Sequence, residues 1–218
     1  MNRTPGLRFG AAMLALCAWV AQAGDLGTSF EAELSGIQQR WAEINYGPEA
    51  AREKGFESLA AVAQSFSDRH SGQAEPLIWL AIVESSQAGA AGGLGALSLA
   101  KRSRKHLERA IDINPRALDG SAYTSLGTLY FKVPGFPLGF GDGDKARKML
   151  KKALELNPGG IDPNYFYAEF LYEEGEYRDA LAHLDRAASA TPRPGRELAD
   201  RGRQAEIAAL RSKVQAKL

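Results

Sequence analysis

The sequence predicts an all-α fold, an α-solenoid of about four helix hairpins with a C-terminal capping helix. Two stretches copy each other: Leu107–Pro115 reads LERAIDINP and Leu150–Pro158 reads LKKALELNP, so the apolar positions and the final Asn-Pro pair correspond. A looser copy, LDRAASATP, ends at Pro192, which lies 34 residues after Pro158. That period is typical of stacked helix–turn–helix repeats, and such repeats build extended concave binding surfaces.

The first 23 residues have the pattern of an export signal. Arg3 and Arg8 form a positive end, 9–20 is apolar, and Ala21-Gln22-Ala23 is a small-x-small cleavage site. We therefore expect a signal peptide over 1–23, a repeat domain over 24–218 and a periplasmic location. Lipid attachment at Cys17, the single cysteine, is the less favoured alternative because Leu16 before it is not small.

The predicted mature chain is close to neutral, with 25 basic against 26 acidic side chains. A nucleic-acid partner is not expected, because such binding needs a strongly basic surface. Cleavage after Ala23 removes the only cysteine, which leaves no disulfide, thiol nucleophile or thiolate metal ligand. We expect no cofactor.

Helical periodicity broken by Gly and Pro divides the rest of the chain into hairpins. The predicted helices cover 30–44 and 48–66, then 76–88 and 96–113, then 121–131 and 145–156, then 164–174 and 177–190, and finally 196–217. The second hairpin contains about eight extra residues around Gly89–Gly95, and the third contains roughly seven between Lys132 and Asp144. We expect a lengthened turn at each place.

These hairpins resemble the tetratricopeptide repeat. The fourth hairpin has the family's small, turn, aromatic, large and proline positions at Ala168, Gly175, Tyr177, Ala180, Leu184, Ala187 and Pro192. The third matches at Tyr123, Leu126, Gly127, Tyr130, Ala146, Leu150, Ala153 and Pro158. The small residues are expected to let paired helices approach closely, and the larger apolar residues to fill the seam between them.

In that family the first helix of each hairpin lines the concave groove. The resemblance therefore implies an inner wall formed by Leu80, Glu84, Thr124, Thr128, Phe131, Lys132, Tyr165, Glu169, Tyr172 and Glu173. Only Lys132 is basic in this set, and three glutamates accompany it. A clamp for a peptide's terminal carboxylate is therefore disfavoured, and an amphipathic or basic ligand fits better.

The segment Lys132–Asp144 combines stiffening prolines and permissive glycines with Phe136, Leu138 and Phe140. Disordered inserts are normally polar, and this one is not. These apolar side chains either fold back over the helices or line a ligand pocket or a partner contact. The two alternatives are compatible with each other. Asp144 is expected to cap the helix that follows, because Asp142-Gly143-Asp144 lacks the further ligands of a calcium loop.

No arrangement of residues predicts catalysis. His70, His106 and His183 are scattered without other metal ligands at suitable spacing. The basic run Lys101–Lys105 is typical of a solvated helix face, with contact to an acidic partner or anionic lipid as the alternative. We therefore expect a protein that is not an enzyme.

The segment 130–196 has a more particular resemblance, to the T-component of tripartite ATP-independent periplasmic (TRAP) transporters. The matching motifs are Pro134–Pro137 with Gly141-Asp142, Ala153–Pro158, Asp162–Ala168 and Pro192–Arg196. The resemblance implies an exported helical scaffold that pairs with a periplasmic solute-binding protein, forms a homo-oligomer and encloses a cavity for a small apolar ligand. The family's lipid anchor is not matched by the residues before Cys17.

The sequence thus favours a periplasmic binding or adaptor component, acting through its groove and the Pro134–Gly143 loop. The alternative is a structural scaffold for a cell-envelope complex that binds no small molecule.

Overall fold

The computed structural model describes residue 1 and residues 20–218. Most of the predicted signal peptide, including Cys17, lies outside this part, so export and cleavage after Ala23 stay predictions. The chain divides into two units, residues 1–33 and 34–218. The helix hairpins from α2 onward and the groove described by its lining residues belong to the second unit.

The described residues form helices joined by short connections, which confirms the predicted all-α fold. The elements are α1 (Val20–Asn45), α2 (Glu49–Arg69), α3 (Ala74–Ala91), α4 (Gly93–Ile113), a short 3-10 helix (Ala117–Gly120), α5 (Ser121–Lys132), α6 (Gly143–Leu156), α7 (Ile161–Glu173), α8 (Tyr177–Ala188) and α9 (Glu197–Gln215). Gly135 and Gly141 form an isolated β-bridge in the loop between α5 and α6. Within 20–218, no helix is both long and apolar enough to cross a membrane.

Consecutive helices pack as hairpins, α3 with α4, α5 with α6 and α7 with α8, and each hairpin packs on the next. Small residues permit this packing. A Cβ added at Gly127 of α5 would lie 2.7 Å from Cγ of Leu150 on α6, so only glycine allows this approach. Ala153, Ala168 and Ala180 are fully buried, as their repeat positions predict. The first helices of neighbouring hairpins, α3 with α5 and α5 with α7, also contact each other and form one wall.

A buried amide holds the turn between α6 and α7 against α8. Asn164 is completely buried, and its Nδ2 donates hydrogen bonds to the carbonyl oxygens of Pro158 at 2.8 Å and Gly160 at 2.9 Å. Its Oδ1 lies 2.9 Å from His183 Nδ1 on α8. Burial, with the nearby Arg186, lowers the pKa of His183, which favours the neutral ring. The hydrogen-bonding groups of Asn164, in the Asp162–Ala168 motif, therefore all have partners within the fold.

The lengthened turn predicted at Gly89–Gly95 is wrong. α3 continues to Ala91 and α4 begins at Gly93, so Gly92 alone separates the two helices. Alanine has the highest helix propensity, and Gly92 reverses the chain with a φ of 62° that favours glycine. The extra residues therefore lengthen the helices instead of the turn.

The cap of α6 also differs from the prediction. Asp142, not Asp144, is the N-cap residue, and its side chain accepts a hydrogen bond of 3.0 Å from the Lys145 backbone N–H. The helix begins at Gly143, two residues earlier than predicted. Capping by Asp142 shortens the loop and ties its end to the fold, since the Asp142 N–H also donates to the Tyr130 carbonyl.

Candidate binding groove

A groove of about 1370 Å³ runs along the wall formed by the first helices of the hairpins. It exceeds the range of roughly 300–1000 Å³ that is common for small-molecule sites. Residues of α1, α3, α5 and α7 line it, together with residues of α2 and α4 and of the chain that follows α8. The repeat architecture therefore provides a binding surface along its inner wall.

Aromatic rings form much of the groove lining. Trp41 lies edge-on to Tyr46 and to Trp79, with ring centroids 6.0 and 6.1 Å apart. Further along, Tyr165 and Phe166 have centroids 5.2 Å apart. Burial raises the pKa of Tyr46 to about 12, so this hydroxyl stays protonated near neutral pH and can donate a hydrogen bond. The lining suits a ligand with a large apolar part.

α9 closes one side of the groove, whereas the sequence predicted that it would only cap the stack. It packs on α8 and also on α7. Gly202 lies against the Tyr46 ring so closely that an added Cβ would overlap it. Arg196, just before α9, places its guanidinium 5.0 Å from the Trp79 ring centroid. The last helix thus reaches residues of the first and second hairpins.

A network of ion pairs fixes the start of α9 to α7. Asp162 accepts from Arg193 Nη1 at 2.6 Å and from Arg203 Nε at 2.9 Å. Arg193 also pairs with Asp200 at 2.6 Å, and Arg203 pairs with Glu206 at 2.5 Å. The network joins the Asp162–Ala168 and Pro192–Arg196 motifs, which sequence analysis noted without predicting their contact.

The same network shifts the pKa of its acids in opposite directions. Burial acts to raise the pKa of Asp162, but Arg203 and Arg193 outweigh burial and lower it to about 2. Burial raises the pKa of Glu206, with Arg203 opposing. Arg203 is buried, and its guanidinium lies 4.5 Å from the ring centroids of both Tyr165 and Phe166. The groove floor is therefore charged, but most of its charges are paired.

The structure places five of the ten residues predicted for the inner wall at the groove. Thr124, Thr128, Lys132, Tyr165 and Glu169 line the groove. Lys132 Nζ lies 2.7 Å from Glu169 Oε1 and is thus neutralised. Their role in binding stays a prediction.

The other predicted wall residues lie elsewhere. Phe131 packs on Phe170 and Tyr172 on Tyr177, with ring centroids 5.8 and 5.7 Å apart, and Glu173 is exposed. Leu80 is buried, and Glu84 faces α4, where Arg102 pairs with it at 2.8 Å.

The preference for an amphipathic or basic ligand rested on Lys132 as the only basic residue of the predicted inner wall. The groove contains more basic residues than that. Arg52, Arg193, Arg196 and Arg203 also line the groove. Sequence reasoning missed three of them because it assigned the chain after Pro192 to a cap. The two arginines of the Pro192–Arg196 motif could have indicated basic groups near the groove.

The loop between α5 and α6 folds back in part, and the contact with a ligand or partner stays a prediction. Phe140 folds back, with its ring centroid 5.9 Å from that of Tyr130 and the Arg104 guanidinium 4.6 Å from it. Phe136 is 94% exposed and Leu138 is 74% exposed at the loop tip. Backbone hydrogen bonds from Leu138 and Gly139 to the Gly135 carbonyl fix this tip. Phe136 and Phe140 therefore do not form one site.

Strained backbone borders the groove at the 3-10 helix. Leu118 and Asp119 have φ values of 48° and 54°, in the left-handed region that non-glycine residues rarely adopt, and both line the groove. Such conformations cluster at functional sites. Among residues 1 and 20–218, no group of three or more His, Cys, Asp or Glu side chains is placed to hold a metal ion.

Comparisons with known proteins agree with this architecture. Residues 138–214 match the family model described as tetratricopeptide repeat. The fold is similar to that of a thermophilic TPR protein in Thermus thermophilus, with a TM-score of 0.55 and 20% identity over 87% of this chain and 95% of that chain. Residues 138–214 thus match the tetratricopeptide repeat, and the fold of the chain is that of stacked helical hairpins.

Two further solved structures are more distantly similar. MamA protein shares 17% identity over 83% of this chain and 91% of that chain, with a TM-score of 0.44. PilF of Pseudomonas aeruginosa shares 14% identity over 85% of this chain and 99% of that chain, with a TM-score of 0.37. No curated protein matches the sequence.

Proposed function

We propose that this protein is a non-enzymatic binding component of the bacterial periplasm, in which the groove holds a small molecule with a large apolar part. The observation that carries the proposal is a groove of about 1370 Å³, walled by aromatic rings and closed on one side by α9. An open repeat surface for peptides would not need this closure. The ion pairs of Asp162 hold α9 in place and leave the aromatic wall available.

Export and a TRAP-type partnership belong to the same proposal. Their support is the basic and apolar N-terminal pattern and the four motifs between residues 130 and 196. The partner would be a periplasmic solute-binding protein, and the chain would act as a homo-oligomer. N-terminal sequencing of the exported protein should find Gly24 first, and a start at Met1 would refute the predicted cleavage.

The loop tip supports contact with a partner protein. Phe136 and Leu138 are exposed while the backbone around them is hydrogen-bonded, and an ordered exposed apolar tip is typical of a docking element. We expect Phe136→Ser to reduce capture of a solute-binding protein from periplasmic extract. Val62→Ser, at an apolar residue on α2 that is 43% exposed, is the matched control. Equal capture by both variants would remove the tip from the interface.

The ligand is tested by mass spectrometry of small molecules released from the denatured protein. We expect one organic molecule to co-purify with the wild-type chain. Thr128→Trp should displace it, because Thr128 lines the groove and its hydroxyl bonds only the backbone of its own helix. Val62→Trp adds the same ring outside the groove and should retain the ligand.

The second candidate function is a scaffold for a cell-envelope complex that binds no small molecule. The exposed tip at Phe136 favours it, because that contact needs no groove. If no ligand is released and the Thr128→Trp variant still captures its partner, the scaffold is the correct function.

A further inference from the structure

We infer that one corner of the groove recognises an anion, so that the ligand is an amphipathic molecule with an acidic head. The corner is formed by Arg52, Trp79, Arg196 and Tyr46, and we call it the donor corner. The inference rests on the proposed groove function and adds the chemical class of the ligand.

The first observation is a set of hydrogen-bond donors without acceptors. Within the described part of the chain, Nε1 of Trp79, Nε of Arg196 and Nε of Arg52 are buried and have no hydrogen-bond partner. These three residues and Tyr46 line the groove. Trp79 is only 4% exposed, so its indole N–H is not freely hydrated. Buried donors left unpaired are costly, and native proteins normally satisfy them.

The neighbouring tryptophan shows that the fold can satisfy such a group. Trp41 contacts Trp79, yet its Nε1 donates to Ser86 Oγ at 2.9 Å. An acceptor is thus provided for one indole and not for the other. The difference is explained if the acceptor for Trp79 comes with the ligand.

The four groups are neighbours. The Arg196 guanidinium lies 5.0 Å from the Trp79 ring centroid, and Trp79 and Tyr46 both contact Trp41. Arg52 Nη2 donates to the carbonyl of Gly47, the residue after Tyr46, at 3.3 Å. Residues from elements far apart in the chain therefore lie together at the groove.

The charges around the donor corner also favour an anionic ligand group. Arg193 and Arg203 are paired with Asp162, Asp200 and Glu206, whereas Arg196 makes no salt bridge to any residue that the structure describes. Burial and the neighbouring Arg193 lower the pKa of Arg196, and they outweigh the opposing effect of Asp162 and Asp200, which are already paired with other arginines. Glu49 also lines the groove, but it is exposed. A carboxylate or phosphate head would supply both the acceptors and the missing negative charge.

The apolar part of the ligand would lie along the rest of the lining. Ile82, Leu97, Leu129 and Phe166 also line the groove. A molecule with an acidic head and a hydrocarbon or aromatic body would therefore match both parts of the groove.

The test is isothermal titration of the purified chain with decanoate and with decanol, which share a chain and differ in the head. We expect the wild type to bind decanoate at least about tenfold more tightly, the ratio typical of a charge-assisted hydrogen bond. Arg196→Gln and Trp79→Phe should weaken the binding of decanoate more than the binding of decanol and so remove most of this preference. Decyl phosphate, titrated in parallel, shows whether the site prefers a phosphate head.

Arg178→Gln is the matched control, because Arg178 is exposed on α8 and outside the groove, and it should retain the preference. Circular dichroism of each variant checks that it is folded. Equal binding of decanoate and decanol to the wild type would overturn the inference and leave groove binding intact. A preference that survives in Arg196→Gln, or no binding of either probe, would also overturn it. The released-ligand experiment tests the proposed function independently.

Discussion

At the scale of single residues, the pairing of a few buried charges matters most. Asp162 joins two arginines that lie 31 and 41 residues further along the chain. Breaking a buried ion pair from one side leaves an uncompensated charge, which is strongly destabilising. Asp162 is thus the residue whose loss should loosen α9.

We predict that Asp162→Asn lowers the free energy of unfolding by about 2 kcal/mol near pH 6. The pKa of Asp162 is about 2 in the folded protein, below the ordinary value of 3.8. Its contribution is therefore complete above about pH 4 and is lost as the pH falls through the folded value. Urea unfolding at pH 6, 4 and 2.5 should show the difference between wild type and variant shrinking with acid.

The control for this prediction is Asp112→Asn. Asp112 is exposed near the end of α4, and its substitution should change stability by less than about 0.5 kcal/mol. A difference for Asp162→Asn that is the same at all three pH values would show that its charge is not what stabilises the fold.

At the scale of elements, the α5–α6 loop contains one packed and one exposed phenylalanine only a few residues apart. Phe140 lies between Tyr130 and Arg104, whereas Phe136 is almost fully exposed. The loop is ordered by its own hydrogen bonds and by the Asp142 cap. Its two phenylalanines are therefore expected to act differently.

We predict that Phe140→Ala lowers the free energy of unfolding by about 2 kcal/mol, because it removes a half-buried ring and its aromatic contact. Phe136→Ala should change it by less than about 0.5 kcal/mol. Both changes in the free energy of unfolding are to be measured by urea unfolding monitored by circular dichroism at 222 nm. Similar losses for both variants would mean that the tip is also packed in solution.

Sequence reasoning predicted the elements better than their junctions. The helix periodicity identified the helices of the α3–α4, α5–α6 and α7–α8 hairpins, since apolar spacing reports directly on which face is buried. The Gly89–Gly95 turn was misjudged because glycine next to alanine fits either a loop or a helix end. The choice between Asp142 and Asp144 as cap depended on backbone geometry that spacing does not contain.

At the scale of the whole repeat unit, 34–218, the closing contact of α9 defines the groove. Gly202 and Tyr46 are 156 positions apart in sequence, and their contact leaves no space for a Cβ at Gly202. A side chain there would press α9 away from the first hairpin.

We predict that Gly202→Ala lowers the free energy of unfolding by about 1–3 kcal/mol through overpacking against Tyr46. In a Tyr46→Ala background the same change should be neutral or slightly stabilising, because alanine favours a helix over glycine. Urea unfolding of the four proteins in this cycle gives the coupling between the two positions.

Gly36→Ala in α1 is the control for this cycle. Gly36 has open space around an added Cβ, so the change should stabilise by up to about 1 kcal/mol. If Gly202→Ala lowers the free energy of unfolding as much in the Tyr46→Ala background as in the wild type, the contact with Tyr46 is not the reason that position 202 requires glycine.

The amino-acid sequence by itself determined the repeat: helices, their pairing, and the small residues in their seams follow from local spacing and side-chain volume. It also indicated the inner wall formed by Thr124, Thr128 and Tyr165. Only the tertiary structure decided that α9 returns to the first hairpin and brings Arg196 onto Trp79. Such contacts join residues more than a hundred positions apart, and no local periodicity records which distant groups the accumulated curvature of stacked hairpins brings together.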